Sequence, residues 1–287
     1  FLGIELADRA ARLYQFCRYV DDLADGDLPD CQESLEDIRA HLAGKELTAG
    51  PEIEAFIVLA NSNNIPLSAA SELLDGMISD QNPTAVADEA ELLRYCHAVA
   101  GTVGLMMCRI LNCKEPRADS FAIDLGVAMQ LTNISRDVLE DAKMGRRYLP
   151  ANWANFTPSQ IVNAGLGAGE LGEADLDNTS EECRQQVAEG IDQLLDLSEQ
   201  YYASAMLGIR LLPFRSRLSI AIALRVYRQI GWVLRRRNLA WWQGRVMVTG
   251  GEKALLSLRS LLDLRPIKVP PHRSQLHQHL QGLAGVQ

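Results

Sequence analysis

The chain has 287 residues with 37 acidic against 28 basic side chains, a net charge of −9, 47% hydrophobic and 23% charged residues. This composition excludes disordered, fibrous and membrane-spanning classes. The acidic balance argues against a protein whose main task is to grip nucleic acid, because no basic excess exists to release counterions from phosphates. A phosphorylated small substrate stays open, provided that divalent cations stand between the acids and the phosphate.

Strand-like alternation is scarce, and apolar residues recur instead at steps of three and four. Helices are expected near 4–25, 33–44, 51–62, 67–80, 89–111, 117–143, 177–208 and 214–237, with a short one near 251–263. The first ends in "YQFCRYVDDLAD", where Asp21 and Asp25 lie four apart, Arg18 three before Asp21 and Tyr14 four before Arg18. "GDLPD" then breaks the helix, "NSNNIP" precedes the fourth, and "LLP" precedes Arg215. The fifth contains "YCHAVAGTVGLMMCRILN", in which Gly101 and Gly104 each cost roughly 1 kcal/mol against alanine. With Ala98 and Ala100, these small residues either line a channel for a long apolar chain or allow two helices to pack closely.

The sixth helix carries "QLTNISRDVLEDAKMGRRYLP". Gln130, Asn133, Asp137 and Asp141 follow at helical steps and share one polar stripe, with Arg136 one step round and Leu131, Ile134 and Val138 on another side. "NAGLGAGELGEADLDNTS", residues 163–180, reads as the longest loop. In "VLRRRNLAWW", residues 233–242, arginines beside Trp241 and Trp242 form either an interfacial patch or a buried aromatic cluster under a charged face. The segment from Arg265 onward reads as a flexible tail beyond a 1–264 helical domain, with His277 and His279 as solvent-exposed histidines rather than metal ligands.

The six cysteines show neither a C-x-x-C pair nor a zinc-like grouping, as expected of a reduced cytoplasmic chain. No apolar run approaches the roughly 20 residues that span a bilayer, so the chain is expected to be soluble or to lie on a membrane surface.

One Asp-x-x-x-Asp pair is ordinarily a solvated face. Two of them on separate apolar helices, each beside an arginine, are harder to explain that way, because acids facing a dry interior are costly unless paired or metal-bound. Mg²⁺ takes oxygen ligands, keeps several waters and bridges carboxylates to substrate phosphates.

These segments together resemble the squalene and phytoene synthase family, which joins two allylic isoprenoid diphosphates head to head. The likeness runs from Phe1 to the region of Arg245, and "AGTVGLMM" and "RVYRQIG" are most similar to bacterial phytoene synthases. The resemblance implies an all-α, single-domain bundle of the isoprenoid synthase type around a central apolar cavity. It also implies that Asp21, Asp25, Asn133, Asp137 and Asp141 hold Mg²⁺, with Mn²⁺ as a substitute. Arg18, Gln130, Asn133 and Arg136 match diphosphate- or metal-binding positions, Tyr14, Tyr95, Tyr148 and Tyr227 match tyrosines of the site, and Arg245 matches a phosphate-binding arginine. The family's N-terminal Ser-Phe element is matched by Phe1 alone.

The implied chemistry is ionisation of an allylic diphosphate, capture of the cation by a second prenyl chain as a cyclopropylcarbinyl diphosphate, and rearrangement to phytoene. Squalene-forming relatives add NADPH; no glycine-rich dinucleotide fingerprint is present. The channel depth would set C15 against C20 chain length, with Met77, Met106 and Met107 as floor residues. A chain-elongating prenyltransferase or terpene cyclase fits less well, because neither Asp-Asp-x-x-Asp nor the cyclase Asn/Ser/Glu spacing appears in the second motif. A non-catalytic assembly factor would not be expected to keep all four aspartates. An insoluble hydrocarbon product implies contact with a membrane surface.

Overall fold

The computed structural model describes residues 2–24, 26, 31–45, 50–81, 84–170, 178–265 and 268–286. Asp25 and Phe1 of the sequence motifs lie outside the described residues. Eleven α-helices occur among the described residues: α1 (Ile4–Ala24), α2 (Cys31–Leu42), α3 (Pro51–Asn63), α4 (Leu67–Ser79), α5 (Glu89–Cys96), α6 (Thr102–Ile110), α7 (Ala118–Lys143), α8 (Pro158–Glu170), α9 (Asn178–Gly208), α10 (Phe214–Arg236) and α11 (Gly250–Arg259). The only extended pairing among the described residues is one bridge between Ala85 and Arg147.

α7 is the axis of the bundle. It packs along α9 most extensively and also touches α6, α8 and α10, while α1 packs on α2, α3, α4 and α6. Its apolar positions Phe121, Ile123, Val127, Leu131, Ile134 and Val138 are buried, as the stripe opposite the polar residues requires. One connected apolar core runs through the molecule, with a small second cluster around Cys108, Leu111 and Leu212.

The helix expected over 89–111 is interrupted by a π-helical turn, His97–Gly101. Close packing explains the small residues on either side. A Cβ on Gly126 of α7 would lie 2.1 Å from the Ala100 carbonyl oxygen, and one on Gly104 of α6 would lie 2.2 Å from that of Ala122. Backbone therefore touches backbone across these helices, which only glycine allows.

Two expectations are overturned. The first part of the expected 163–180 loop belongs to α8. Its start carries a reciprocal cap: the Thr157 amide donates to Gln160 Oε1 at 2.8 Å, and the Gln160 amide donates to Thr157 Oγ1 at 3.3 Å. The expected exposed tail instead lies against the bundle over residues 268–286. His277 is 2% exposed and Leu280 fully buried, and both His272 and His277 bond the buried Asp124 of α7 at 2.8 Å. In the 233–242 segment, Trp241 is 3% exposed and packs edge-to-face on Trp242, so the buried aromatic cluster is the arrangement found.

Candidate active site

α7 departs from helical geometry at Asp137, where φ is −108° and ψ is 15°. No proline or glycine lies within 130–137 to break the helix. The bend falls on the residue with the densest ionic contacts. Arg136 Nε donates to Asp137 Oδ1 at 2.8 Å, and Arg245, beyond α10, reaches the same carboxylate at 3.1 and 3.2 Å. The bond to Asp137 holds the Arg136 guanidinium above its ordinary value. One turn back, Asn133 Nδ2 donates to Gln130 Oε1 at 3.4 Å, while Asn133 Oδ1 is buried without a hydrogen-bond partner among the described residues. One turn forward, burial and the Asp137 charge push the Asp141 carboxyl up to about 7.

A second polar knot adjoins this row. Tyr95 OH donates to Asp80 Oδ2 at 2.7 Å and Tyr148 OH to Asp80 Oδ1 at 3.0 Å, and the two rings stack with centroids 4.7 Å apart. Burial drives the Asp80 carboxyl up against the opposing effect of the two tyrosine bonds. It drives the Tyr95 and Tyr148 hydroxyls well above their ordinary range. Asp80 and Arg146 both act on Asp141, with opposite signs.

The first aspartate row forms its own pairs. Arg18 reaches Asp21 at 3.0 Å and Asp22 at 2.7 Å, both within α1. Tyr14 is 68% exposed at the far end of this face. α6 touches both α1 and α7, so the two acid-bearing helices flank a common neighbour.

Two spaces accompany these residues. A cleft is lined by Arg136, Tyr227, Ile230, Arg245, Met247 and Lys253. A small, partly open cavity of about 70 Å³, almost wholly apolar, lies between α6, α7, α9 and α10, with Gly104, Met107, Ala122, Leu125, Gly208 and Ile220 among its walls. Met107 is thus at the cavity, whereas Met106 is buried in the core and Met77 packs against it from elsewhere. The α7 stripe that carries Asn133 and Asp137 runs back through Met129 to Leu125, Ala122 and Ala118 of the cavity wall. The twelve helical steps from Leu125 to Asp137 span about 18 Å.

The sequence pattern of squalene/phytoene synthases matches residues 1–252. The chain belongs to the squalene/phytoene synthase family. It is therefore a prenyltransferase of that type. It is 32% identical over 286 residues to a phytoene synthase from Pseudescherichia vulneris, covering 93% of this chain and 87% of that one. It is 35% identical over 257 residues to a 15-cis-phytoene synthase from Enterobacter agglomerans, covering 85% and 82%. A dehydrosqualene synthase crystallised with a ligand superposes with a TM-score of 0.68 at 25% identity, over 91% of this chain and 87% of that one.

Within this squalene/phytoene synthase fold, Gln130, Asn133, Arg136, Asp137, Asp141 and Arg245 come together, with Tyr227 on the same cleft. Tyr95 and Tyr148 are joined to them through Asp80, a residue that sequence reasoning missed. The available signal was its place in "SDQNP" at the end of an apolar helix, where an unpaired acid has no capping task. Arg146, in the "GRRYLP" ending of the motif, was missed in the same way.

Proposed function

We propose that this squalene/phytoene synthase condenses two molecules of geranylgeranyl diphosphate head to head, through a cyclopropylcarbinyl diphosphate, to phytoene. The observation that carries this reading is the single α7 stripe that is apolar along the wall of an apolar cavity and becomes amide- and acid-bearing at its other end. Such a stripe suits a molecule with a long hydrocarbon chain and an anionic head. The phytoene synthases at 32–35% identity support the C20 substrate.

The donor set fits Mg²⁺. Asn133 Oδ1 is a buried oxygen with no partner among the described residues, and Asp137 and Asp141 stand four apart with the second acid's charge disfavoured by burial and by the first. Hard oxygen donors of this kind are what Mg²⁺ or Mn²⁺ takes. Asp21, Asp25, Asn133, Asp137 and Asp141 would hold the ions, which supply charge neutralisation that turns diphosphate into a good leaving group.

The chain's own groups then have distinct tasks. Arg136 and Arg245, both resting on Asp137, exchange the carboxylate for phosphate oxygens when substrate enters, and Arg18 does the same from α1. Gln130 orients Asn133. Tyr227 borders the reacting end, and Asp80 fixes the stacked Tyr95 and Tyr148 so that ring faces rather than hydroxyls meet the cation. The apolar walls exclude water that would quench the cation. Phytoene formation consumes no reductant; NADPH enters only if the product is squalene. The six unbridged cysteines suit a reducing cytoplasm.

The purified chain incubated with Mg²⁺ and either geranylgeranyl or farnesyl diphosphate, with and without NADPH, is expected to yield phytoene from the C20 substrate. Hydrocarbon from farnesyl diphosphate alone would move the assignment to a dehydrosqualene or squalene synthase. No diphosphate release from either would overturn it.

A further inference from the structure

We infer that α11 and the turn after it form a docking face for an anionic lipid surface. α11 continues directly into a 3₁₀ turn, Ser260–Leu264. Leu255, Leu258, Leu261 and Leu262 are 50%, 66%, 51% and 55% exposed on this short stretch. Leu255, Leu258 and Leu262 follow at steps of three and four, and Leu261 eclipses Leu258 because side chains three apart coincide in a 3₁₀ turn. Leu256, Ser260 and Asp263 face inward. Leucines are therefore on both sides of this segment, and the outer four are left half or more exposed among the described residues.

The charges divide the same way. Both acids of the segment are turned toward α10 and paired. Glu252 bonds Arg236 at 2.6 Å and Gln229 at 3.2 Å, and Asp263 bonds Arg225 at 2.6 and 2.8 Å. Arg259 and Arg265 are exposed with no ion pair among the described residues. In a chain of net charge −9, this outer face thus offers cations and leucines and no acid. A segment with an apolar strip bordered by lysine and arginine lies in the headgroup boundary of an anionic bilayer. Thr249 and Glu252 form a reciprocal cap at the start of α11, so the face is held in a fixed frame.

Position favours lipid over a protein partner. Met247, 72% exposed, and Lys253 form the lip of the cleft that holds Arg136, Tyr227 and Arg245. A protein seated on α11 would cover the lip through which a prenyl chain must pass, whereas a bilayer can deliver and receive that chain there. This preference rests on the prenyl diphosphate reading of the cleft.

Flotation of the purified chain with phosphatidylcholine vesicles, with and without phosphatidylglycerol at about one third of the lipid, tests the face without substrate. Binding to the anionic vesicles is expected, weakened by salt. It should fall at least about tenfold in the double variant Leu258→Glu/Leu262→Glu, and only its salt-sensitive part should fall in Arg259→Glu/Arg265→Glu. Both variants should keep the wild-type melting temperature; if the leucine variant does not, Leu258→Ser/Leu262→Ser replaces it. No vesicle binding by the wild type, or binding that the variants leave unchanged, would overturn the inference. So would a dimer in solution that Leu258→Glu disperses. Vesicle binding contains no turnover, so its failure removes the docking face and leaves the condensation reading to its own product assay.

Discussion

Asp124 lies fully buried in α7 and accepts from His272 and His277 at 2.8 Å, one on each oxygen. A second histidine–carboxylate couple holds the same C-terminal segment: Glu72 Oε2 accepts from the Ala284 amide at 2.8 Å while His97 bonds the Ala284 carbonyl oxygen at 3.0 Å. Asp124→Ala would remove two bonds to a charged group, about 1.5–3 kcal/mol each, and leave two imidazoles without an acceptor. Loss of one member of a buried charged set typically costs about 3–5 kcal/mol, so the two estimates agree. In a domain of this size that lowers the melting temperature by roughly 10 °C. The pH dependence has a definite sign. Burial pushes the Asp124 carboxyl up, but the two histidine bonds overcome it and hold it below the ordinary carboxylate value. A depressed pKa contributes stability fully above the unfolded value, about 3.9, and loses it as pH falls through the folded one. Thermal melts of wild type and variant should therefore differ most near neutrality and converge below about pH 4. Limited trypsin digestion at neutral pH should cut the variant faster after Arg273, which is exposed. A variant within about 1 kcal/mol of wild type at neutral pH, or an equal gap at both ends of the range, would refute this account of the clamp.

Ala122 lines the apolar cavity, so Ala122→Leu should shorten it and lower kcat/KM for geranylgeranyl diphosphate relative to farnesyl diphosphate by about 10–100-fold, read from product analysis with each substrate. Asp80→Asn leaves one of the two tyrosine hydroxyls facing an amide donor. A double-mutant cycle with Tyr148→Phe, followed by denaturation midpoints, should show coupling of about 1 kcal/mol, and kcat should fall further than stability does. Gly126→Ala would drive a methyl group to 2.1 Å from the Ala100 carbonyl oxygen; because backbone cannot yield as a side chain does, urea unfolding should show a loss of about 1–3 kcal/mol.

Much of this was legible in the sequence because a long buried helix repeats its apolar residues at a fixed period. α1, α3, α4, α7 and α10 fall within a residue or two of their expected limits, and the α7 polar stripe follows from the spacing of Gln130, Asn133, Asp137 and Asp141 alone. α8 was hidden because its glycines look like loop residues. Gly165 instead sits where a Cβ would come within 2.7 Å of Leu139, so close packing and not a turn explains it. The docked tail was hidden because its histidines and prolines look solvated, and their partner Asp124 lies about 150 residues earlier among apolar neighbours. At the site, Arg245 and Asp137 are 108 residues apart and the Asp80 link joins segments 15 and 68 residues away, pairings that no local period encodes. The relation of the α1 row to the α7 row is likewise set by how both helices pack on α6.

Diphosphate release from geranylgeranyl diphosphate under single-turnover conditions, with Mg²⁺, compared among wild type, Asp21→Ala and Asp137→Ala, bears most directly on the claim that the acid rows of α1 and α7 act on one substrate. Each substitution should reduce the rate at least about a thousandfold while far-UV circular dichroism stays at the wild-type helical signal. An Asp21→Ala protein that releases diphosphate at the wild-type rate would show that the α1 row lies outside the reacting site.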